Sequence, residues 1–463
     1  MACAAAAACY LAAMVGGIVN DAAELKRPAA AVAWYATFVL TLAYTFSFVD
    51  RQVLNLLVEP IKQDLQLSDT RISFLQGLAF VIPYVLVSVP IGRLVDKFNR
   101  IVVLIVGVLV WSVATFSCGA ANNYVQLLGA RMGVGVGEAS VTPAAWSLLA
   151  DYFSPEKLAR PVSFFLMGPY LGGGLALIGG AAVMDWSASF GEVSLPVLGT
   201  LRTWQLTFIA VAVPGLAIAA LLASIPNPAR QKVGEPAAAA PSWGEVWGYL
   251  RAHSRIYLAV LLGVPFLVVV LYGLQGWVPT ILVRVYGWDL ADAGRTYGTL
   301  ALLAGSAGVI SGPVVGGWLK ARGHADYPLR LGTGAAVAVV LSMITLPLQT
   351  SGTGALVCIG FASFFVTLPL ALMTYVTQTV TPADMRGVLA GMFVVGTNVI
   401  GLGLGPTLVA ATTDYLLGDP NQVHISLTIV SVVFAPISML LLGSGMRALA
   451  VWQEQHGEEK LSG

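Results

Sequence analysis

Long apolar stretches alternate with short polar breaks along most of the chain. Each stretch has about twenty residues or more, the length that an α-helix needs to cross a bilayer. The pattern therefore predicts twelve transmembrane helices. Their predicted bounds are 33–58, 71–92, 101–121, 124–149, 160–184, 203–224, 256–283, 293–319, 328–349, 354–379, 386–413 and 423–445.

The apolar start of the chain, residues 1–19, does not fit this series. It lacks the basic residues that begin a signal peptide. A thirteenth crossing would also place the two ends of the chain on opposite sides of the membrane. We expect residues 1–28 to form a peripheral or disordered segment.

The composition is that of a membrane protein. The 463 residues are 57% hydrophobic and 10% charged, with a mean hydropathy of +0.82, and a soluble domain of this length needs more charge to cover its surface. The net charge of +1 gives no reason to expect nucleic-acid binding. The four cysteines lack metal-ligand spacing, so neither a metal site nor a cofactor is expected. These cysteines are Cys3, Cys9, Cys118 and Cys358.

Lys and Arg are divided unequally between the two sides of the predicted membrane. With the amino terminus inside, 17 of the 24 lie in cytoplasmic segments and 5 in outer segments, while Arg51 and Arg131 lie within helices. This asymmetry predicts a multi-pass protein of the cytoplasmic (inner) membrane with both termini in the cytoplasm.

The longest polar break, "IPNPARQKVGEPAAAAPSW", separates helices 6 and 7. A faint repeat also relates "SPEKLARPVSFFLMG" at helix 5 to "TPADMRGVLAGMFVVG" at helix 11, six helices later. We predict an all-α membrane fold of two similar six-helix bundles, which favours a secondary transporter. The predicted parts are the segment 1–28, a bundle at 29–225, a linker at 226–255, a bundle at 256–446 and a cytoplasmic tail at 447–463.

Four charged residues lie inside predicted helices 1 and 4. Asp50 and Arg51 are adjacent, so they point about 100° apart and face different neighbours. Arg131 and Glu138 share one face of helix 4, about 10 Å apart along its axis. We predict a pair between Arg51 and Glu138, with Asp50 satisfied by Arg131 or by backbone donors. Intramembrane charges are usually functional, although a static buried ion pair is the alternative.

The three residues Asp50, Arg51 and Glu138 suit proton coupling. Burial favours the protonated form of a carboxylate, whereas a neighbouring Arg favours the ionised form. A carboxylate balanced between the two can take up a proton when a substrate displaces its Arg partner.

The loop "GRLVDKFNR", Gly92–Arg100, joins helices 2 and 3 and resembles a loop motif of the major facilitator superfamily. Asp96 can cap a helix start and pair with Arg100 or with a cation of a neighbouring helix, which would hold one transport state closed. Ordinary positive-inside charge with a helix cap is the alternative. "MGPYLGGG", Met167–Gly174, resembles the helix 5 motif of antiporters in that superfamily, and plain small-residue packing is equally compatible with it.

Three stretches together resemble the spinster family of this superfamily: Phe48–Gly77, Gly92–Arg100 and Arg131–Phe153. The most specific parts are Asp-Arg in helix 1 and Gly-Val-Gly-Glu-Ala-Ser in helix 4. The superfamily resemblance covers the whole chain, and the spinster resemblance covers mainly the first 225 residues.

Spinster proteins export lysophospholipids or sphingosine-type lipids, and some are thought to use protons. The resemblance implies proton coupling by Glu138 and Asp50, headgroup binding by Arg51 and a supporting charge at Arg131. It also implies a cytoplasmic gate, in which Lys97 replaces the common Arg and loses its planar fork. The gate residues are Gly92, Asp96, Lys97 and Arg100.

Aromatic and mildly polar side chains can line a cavity for an amphiphile, and Arg51 can hold a phosphate. Each candidate, taken singly, is more often a packing or membrane-interface residue. The candidates are Tyr44, Phe48, Tyr84, Trp146, Tyr170, Gln275, Trp277, Tyr375, Gln378 and Asn398.

The sequence thus predicts a monomeric alternating-access transporter whose partners are a lipid or amphiphilic substrate, protons and membrane lipids. One alternative is a drug or small organic anion antiporter on the same scaffold. Another is a non-transporting membrane sensor. An enzyme is not expected, because no nucleophile–base set is visible and the four His residues lie in loops, near helix ends or in the tail.

Overall fold

The computed structural model describes residues 28–154, 157–189, 193–195, 199–230, 242–382 and 384–459. The expected amino-terminal segment therefore lies almost wholly outside the described residues, and so does the middle of the expected linker.

Within the described part of the chain, eleven helices are long and apolar enough to cross a membrane. They are Ala30–Leu56, Asp69–Lys97, Arg100–Gly119, Arg160–Ala188, Thr203–Ser224, Ser254–Tyr286, Leu290–Ala321, Tyr327–Leu348, Gly352–Val380, Arg386–Leu417 and Pro420–His456.

One further crossing is divided into two shorter helices, Tyr124–Glu138 and Val141–Tyr152. Neither half alone has the length of a membrane helix, but in succession they cross the bundle. We number the crossings span 1 to span 12 in chain order, with the divided helix as span 4. The predicted all-α fold of twelve membrane helices is confirmed.

Many spans contain a break or a π-helical turn. In a membrane, irregular backbone is tolerated only where protein or a polar cavity surrounds it, so a break inside a span indicates that this part of the span faces protein or a cavity. In the first half, the segments are Val58–Leu65 after span 1, Asp69–Gln76 and Leu78–Lys97 in span 2, and Ala159–Phe165 and Gly168–Ala188 in span 5. In spans 7, 9 and 10 they are Ser254–Leu258, π-helical Ala259–Gly263 and Val264–Tyr286; Tyr327–Ile344 and 3₁₀ Leu346–Leu348; and Gly352–Thr367 and Leu370–Val380. In spans 11 and 12 they are Arg386–Gly396, π-helical Thr397–Leu404, Gly405–Ala411 and π-helical Thr412–Leu417; and 3₁₀ Pro420–Gln422 with Val423–Glu459.

Two elements lie between spans and were not predicted. A short antiparallel hairpin, β1 (Val193–Leu195) paired with β2 (Gly199–Leu201), joins spans 5 and 6. A ten-residue helix, Trp243–Ala252, precedes span 7, and we call it the linker helix. Its start is fixed by a capping box, in which Ser242 and Glu245 accept hydrogen bonds from each other's backbone amides.

Span 12 is longer than its apolar pattern suggested. We expected it to end at residue 445, but the helix continues to Glu459. Part of the expected cytoplasmic tail is therefore helical. The last turns of this helix carry polar residues, so hydrophobicity alone could not mark where it ends.

The two six-helix halves pack around a central opening. Within the halves, span 3 packs on span 6, span 1 on span 5 and span 9 on span 12. Between the halves, span 5 packs on span 8 and span 2 on span 11. We call the side with the linker helix and the loop between spans 2 and 3 the linker face, and the opposite side the far face.

Candidate substrate cavity and charge cluster

A cavity of about 2480 Å³ lies between the two halves and opens toward the linker face. At its mouth it is lined by Trp243 and Trp247 of the linker helix. At its apex it is lined by Arg51, Gln52 and Gln275 from spans 1 and 7. Most of the remaining lining is apolar, so the cavity combines a small polar apex with a long apolar wall.

Eight of the ten predicted lining residues lie at the cavity surface, and two do not. Trp277 is fully buried in the core, where its indole Nε1 donates a hydrogen bond to the Pro406 carbonyl at 2.9 Å. Tyr375 is 45% exposed on the outer surface of span 10. These two residues therefore do not line the cavity, contrary to the prediction. The lining residues are Tyr44, Phe48, Tyr84, Trp146, Tyr170, Gln275, Gln378 and Asn398.

Arg51 of span 1 and Glu138 of span 4 meet behind the apex. Arg51 Nη2 lies 2.7 Å from Glu138 Oε2, and the two side chains are 6% and 1% exposed. Arg51 lines the cavity, whereas Glu138 lies behind it. One hydrogen bond joins Arg51 to Glu138, and Arg51 Nε and Glu138 Oε1 are buried without a hydrogen-bond partner among the described residues. Since buried polar atoms without partners are costly, the pair has unused capacity for a ligand or a proton.

Aromatic rings hold the Arg51 guanidinium in place. Its central carbon lies 4.2 Å from the Phe48 ring centre, 4.1 Å from that of Phe80 and 5.8 Å from that of Tyr84. Ring faces stabilise a cation without neutralising its charge. Arg51 therefore presents a fixed positive charge at the top of the cavity, and Glu138 balances it from behind.

Of the two alternatives expected for Asp50, the carboxylate–guanidinium pair with Arg131 is not formed among the described residues. Arg131 instead donates hydrogen bonds to the backbone oxygens of Asp50 and Leu75, each at 3.2 Å. It thereby ties span 4 to the backbone of spans 1 and 2. The Asp50 carboxylate faces Trp111 and Thr115 of span 3 and lies outside the cavity lining.

Polar side chains close the apex toward the far face. Gln52 Nε2 donates to Gln275 Oε1 at 2.8 Å, joining the two halves. Gln76 Nε2 donates to the Gly276 carbonyl at 2.9 Å and to Asn55 Oδ1 at 3.1 Å. We did not single out three of these residues from the sequence, although polar residues inside apolar runs were the available signal. They are Gln52, Asn55 and Gln76.

Ionic contacts seal the far face beyond this layer. Arg284 of span 7 donates from Nε to Glu59 at 2.6 Å and from Nη1 and Nη2 to Asp69 at 2.7 and 2.8 Å. Lys62 adds a 2.6 Å contact to Asp69. We call these four residues the far-face latch. Sequence reasoning missed it because its partners are more than 200 positions apart in the chain.

A close backbone contact directly follows Gln76 of the polar layer at the apex. A Cβ added at Gly77 of span 2 would come within 2.6 Å of the Leu402 carbonyl oxygen of span 11. Only glycine permits this approach of the two halves. The far face is therefore closed by packing as well as by charge.

The loop Gly92–Arg100 on the linker face makes different contacts from those expected. Asn99, and not Asp96, caps span 3, because its Oδ1 accepts from the Ile101 amide at 3.0 Å. Arg100 pairs with Asp151 of span 4 and donates to the Pro228 carbonyl at 2.6 Å. These contacts all stay within the first half and the irregular segment that follows span 6.

The remaining gate candidates are on the surface. Asp96 is exposed and its carboxylate makes no ion pair with any described residue. Lys97 is also exposed, and a Cβ at Gly92 would meet no atom within 4 Å. Arg230 donates hydrogen bonds to the backbone oxygens of Asp96 and Phe98, at the end of span 2. In this structure Asp96 pairs neither with Arg100 nor with a described cation of a neighbouring helix, and the linker face is open.

Twelve spans in two halves around a cavity that opens to one face define the scaffold of a secondary transporter. The model of the Major Facilitator Superfamily matches residues 40–406, and the chain belongs to that superfamily. The fold and family are those of transporters and not of enzymes. Among the described residues no group of three or more His, Cys, Asp or Glu could hold a metal ion.

Similar proteins include an efflux pump, spinster proteins and sugar-acid transporters. An MFS-type efflux pump of Mycolicibacterium smegmatis is 27% identical over 84% of this chain and 86% of its own. Protein spinster homolog 3 of Danio rerio is 25% identical over 83% of this chain and 77% of its own. The crystal structure of a bacterial homolog of the human lysosomal transporter Spinster, in an inward-facing and unoccupied conformation, matches with a TM-score of 0.73. That match has 24% identity and covers 92% of this chain and 96% of that one. The resemblance to the spinster family is confirmed.

Proposed function

We propose that this protein is a proton-coupled transporter of an amphipathic lysolipid or sphingosine-type lipid. Arg51 binds the headgroup and Glu138 carries the proton. The observation that carries the proposal is the Arg51–Glu138 pair, which has one member at the apex of a largely apolar cavity and the other directly behind it.

The cavity suits a molecule with one small polar end and an apolar tail. The apex offers the guanidinium of Arg51 and the amides of Gln52 and Gln275 to a phosphate or a similar group. The wall below offers aliphatic and aromatic side chains to a hydrocarbon chain. A sugar would need many more hydrogen-bonding groups along this wall.

Proton coupling follows from competition for Arg51. An anionic headgroup that takes the guanidinium removes the charge that favours the ionised form of Glu138, so Glu138 takes up a proton more readily. Conversely, a protonated Glu138 leaves the charge of Arg51 uncompensated and available for an anion. Because such coupling is reciprocal, anion and proton bind together and cross the membrane in the same direction. Asp50 lies close enough to Glu138 to affect this balance electrostatically.

Transport then proceeds by rocking of the two halves about the cavity. The structure represents the state that is open at the linker face, which we assign to the cytoplasm. Gly92, Asp96, Lys97 and Arg100 are the gate candidates for the opposite state, in which the linker face closes. We expect a monomer in the inner membrane, with both termini cytoplasmic and membrane lipids around it.

The proposal is tested in proteoliposomes with a fluorescent lysolipid and a sphingosine phosphate analogue, with and without a pH gradient. We expect movement that the gradient accelerates, that Arg51→Ala abolishes and that Glu138→Gln separates from pH. Glu454→Gln and Arg447→Ala are matched controls, because both residues are exposed on span 12 and lie outside the cavity lining. Normal, pH-dependent transport by Glu138→Gln would remove the proton role.

The similarity to an efflux pump supports a second candidate, a drug or small organic anion antiporter. The two functions predict different effects of the length of the substrate's hydrocarbon tail on affinity. A lipid transporter should lose affinity as the acyl chain is shortened, by about 0.8 kcal/mol for each buried methylene. Transport that is insensitive to chain length would favour the antiporter. Binding without any gradient-driven movement would favour a sensor.

A further inference from the structure

Every charged side chain that lines the cavity within the described residues is an arginine. Arg51 is at the apex, and Arg160 and Arg251 are at the mouth. No Asp or Glu of the described chain reaches the cavity surface. Among the described residues, the cavity therefore has positive charge at both ends, and the Arg51–Glu138 pair balances the charge at the apex.

The two mouth arginines come from opposite halves. Arg160 lies at the start of span 5, in the first half. Arg251 lies near the end of the linker helix, which is attached to the second half. There the Tyr249 hydroxyl donates to the Val380 carbonyl at 2.6 Å, and Leu250 is buried in the core cluster. The mouth is thus framed by one arginine on each side.

Both arginines are exposed and neither makes an ion pair with a described residue. This differs from Arg284 and Arg295 of the far face, which are both paired with carboxylates. The Arg251 guanidinium lies 5.3 Å from the Trp247 ring centre, which holds the cation without neutralising it.

Apolar surface lies beside this charge. Trp243 and Trp247 are one turn apart on the linker helix, are 76% and 55% exposed, and both line the mouth. A cationic group next to exposed indole rings suits a molecule with an anionic head and a hydrocarbon chain.

We propose that Arg160 and Arg251 form a second anion-binding site, at the mouth of the cavity, for the headgroup of an anionic amphiphile. The hydrocarbon chain of this amphiphile lies against Trp243 and Trp247. The site deepens the proposed function, on which it rests, by assigning the substrate to the anionic class. An amphiphile docks first at the mouth and then passes to Arg51, where it competes with Glu138.

The general excess of cations on the linker face is the competing explanation, and the chain contains a matched control for it. Arg93 and Arg255 are exposed on the same face, one in each half, but neither lines the cavity. If the general positive charge of the linker face attracts the amphiphile, removing either pair of arginines should weaken its binding equally. If the amphiphile binds at a site, only the removal of Arg160 and Arg251 should weaken its binding.

The test uses titration calorimetry on the purified full chain in a non-ionic detergent, with octyl phosphate and octyltrimethylammonium as probes of equal tail length. Wild type is expected to bind two equivalents of octyl phosphate. Arg160→Gln/Arg251→Gln should weaken one of them by about tenfold, because both exposed charges of that site are removed. Arg51→Ala should remove the other equivalent. Arg93→Gln/Arg255→Gln should change neither.

Two results would overturn the site: equal weakening in the control variant, or binding of octyltrimethylammonium as tight as that of octyl phosphate. Failure of the proposed function is separate and would appear as wild-type protein that binds octyl phosphate at both places but moves no lipid in proteoliposomes.

Discussion

Removal of Arg284 should shift the protein toward a state that is open at the far face. This side chain links span 7 to Glu59 and Asp69 of the first half. It makes three of the hydrogen bonds of the far-face latch. In Arg284→Gln the side chain is shorter and polar, and the charge and the fork of donors are lost.

The size of the shift follows from burial. Arg284 is 6% exposed and Asp69 is 0% exposed, so the contact is poorly screened by water. Removing one partner of a fully buried ion pair costs about 3–5 kcal/mol. Lys62 still pairs with Asp69, so the cost here should be lower, about 2–3 kcal/mol. This raises the ratio of far-open to linker-open molecules by about 30- to 150-fold.

Spin-label distance measurements in lipid nanodiscs detect this change. Labels at Gln63 and Tyr415 are suitable, since both residues are exposed on the far face and belong to different halves. The four native cysteines would be replaced first. Wild type should give one short distance, and Arg284→Gln should add a longer one with a substantial population.

Arg202 provides the matched control. It pairs with Asp64 on the same face, but both residues belong to the first half and Arg202 is about half exposed. Arg202→Gln should leave the distance distribution unchanged. An unchanged distribution for Arg284→Gln would refute the latch, and an equal change in Arg202→Gln would show that general surface charge, and not the latch, sets the equilibrium.

Two further predictions concern packing and the cavity wall. Gly172→Ala should destabilise the protein by about 1–3 kcal/mol, because its Cβ would come within 2.3 Å of the Thr45 carbonyl oxygen. Gly173→Ala should leave the stability unchanged, because its Cβ would meet nothing within 4 Å. Thermal unfolding in detergent distinguishes the two variants, and equal melting temperatures would contradict the packing argument. Gln378→Ala should change the Michaelis constant for lipid transport, whereas Tyr375→Ala should not, since only Gln378 lines the cavity; an effect confined to Tyr375→Ala would disprove this placement.

The membrane fold could be predicted because hydrophobic length alone specifies it. Twelve apolar runs gave twelve spans, and the bounds of span 6 agree to the residue. The exceptions have physical causes. The break after Glu138 could not be predicted, because no polar loop interrupts the hydrophobic run there. The linker helix could not be predicted either, because only a capping box and two tryptophans mark it within a stretch rich in Pro and Ala.

The candidate site was only partly predictable. The Arg51–Glu138 pair was predicted because buried charges need partners and few were available. Arg131 was one of two expected partners for Asp50, but it binds backbone oxygens, which are acceptors at every position and leave no sequence signal. The far-face latch lies in loops and span ends where charge is ordinary, so only the three-dimensional structure shows which residues meet.

The central claim is that the Arg51–Glu138 pair couples the transport of the anion to the transport of a proton. The most direct test is to load proteoliposomes with a pH-sensitive dye, impose no gradient, and add a sphingosine phosphate analogue outside. The lumen should acidify as the lipid enters through wild-type protein, with no acidification in Glu138→Gln or in protein-free liposomes. Entry of the lipid through wild-type protein without acidification beyond that of protein-free liposomes would contradict the claim.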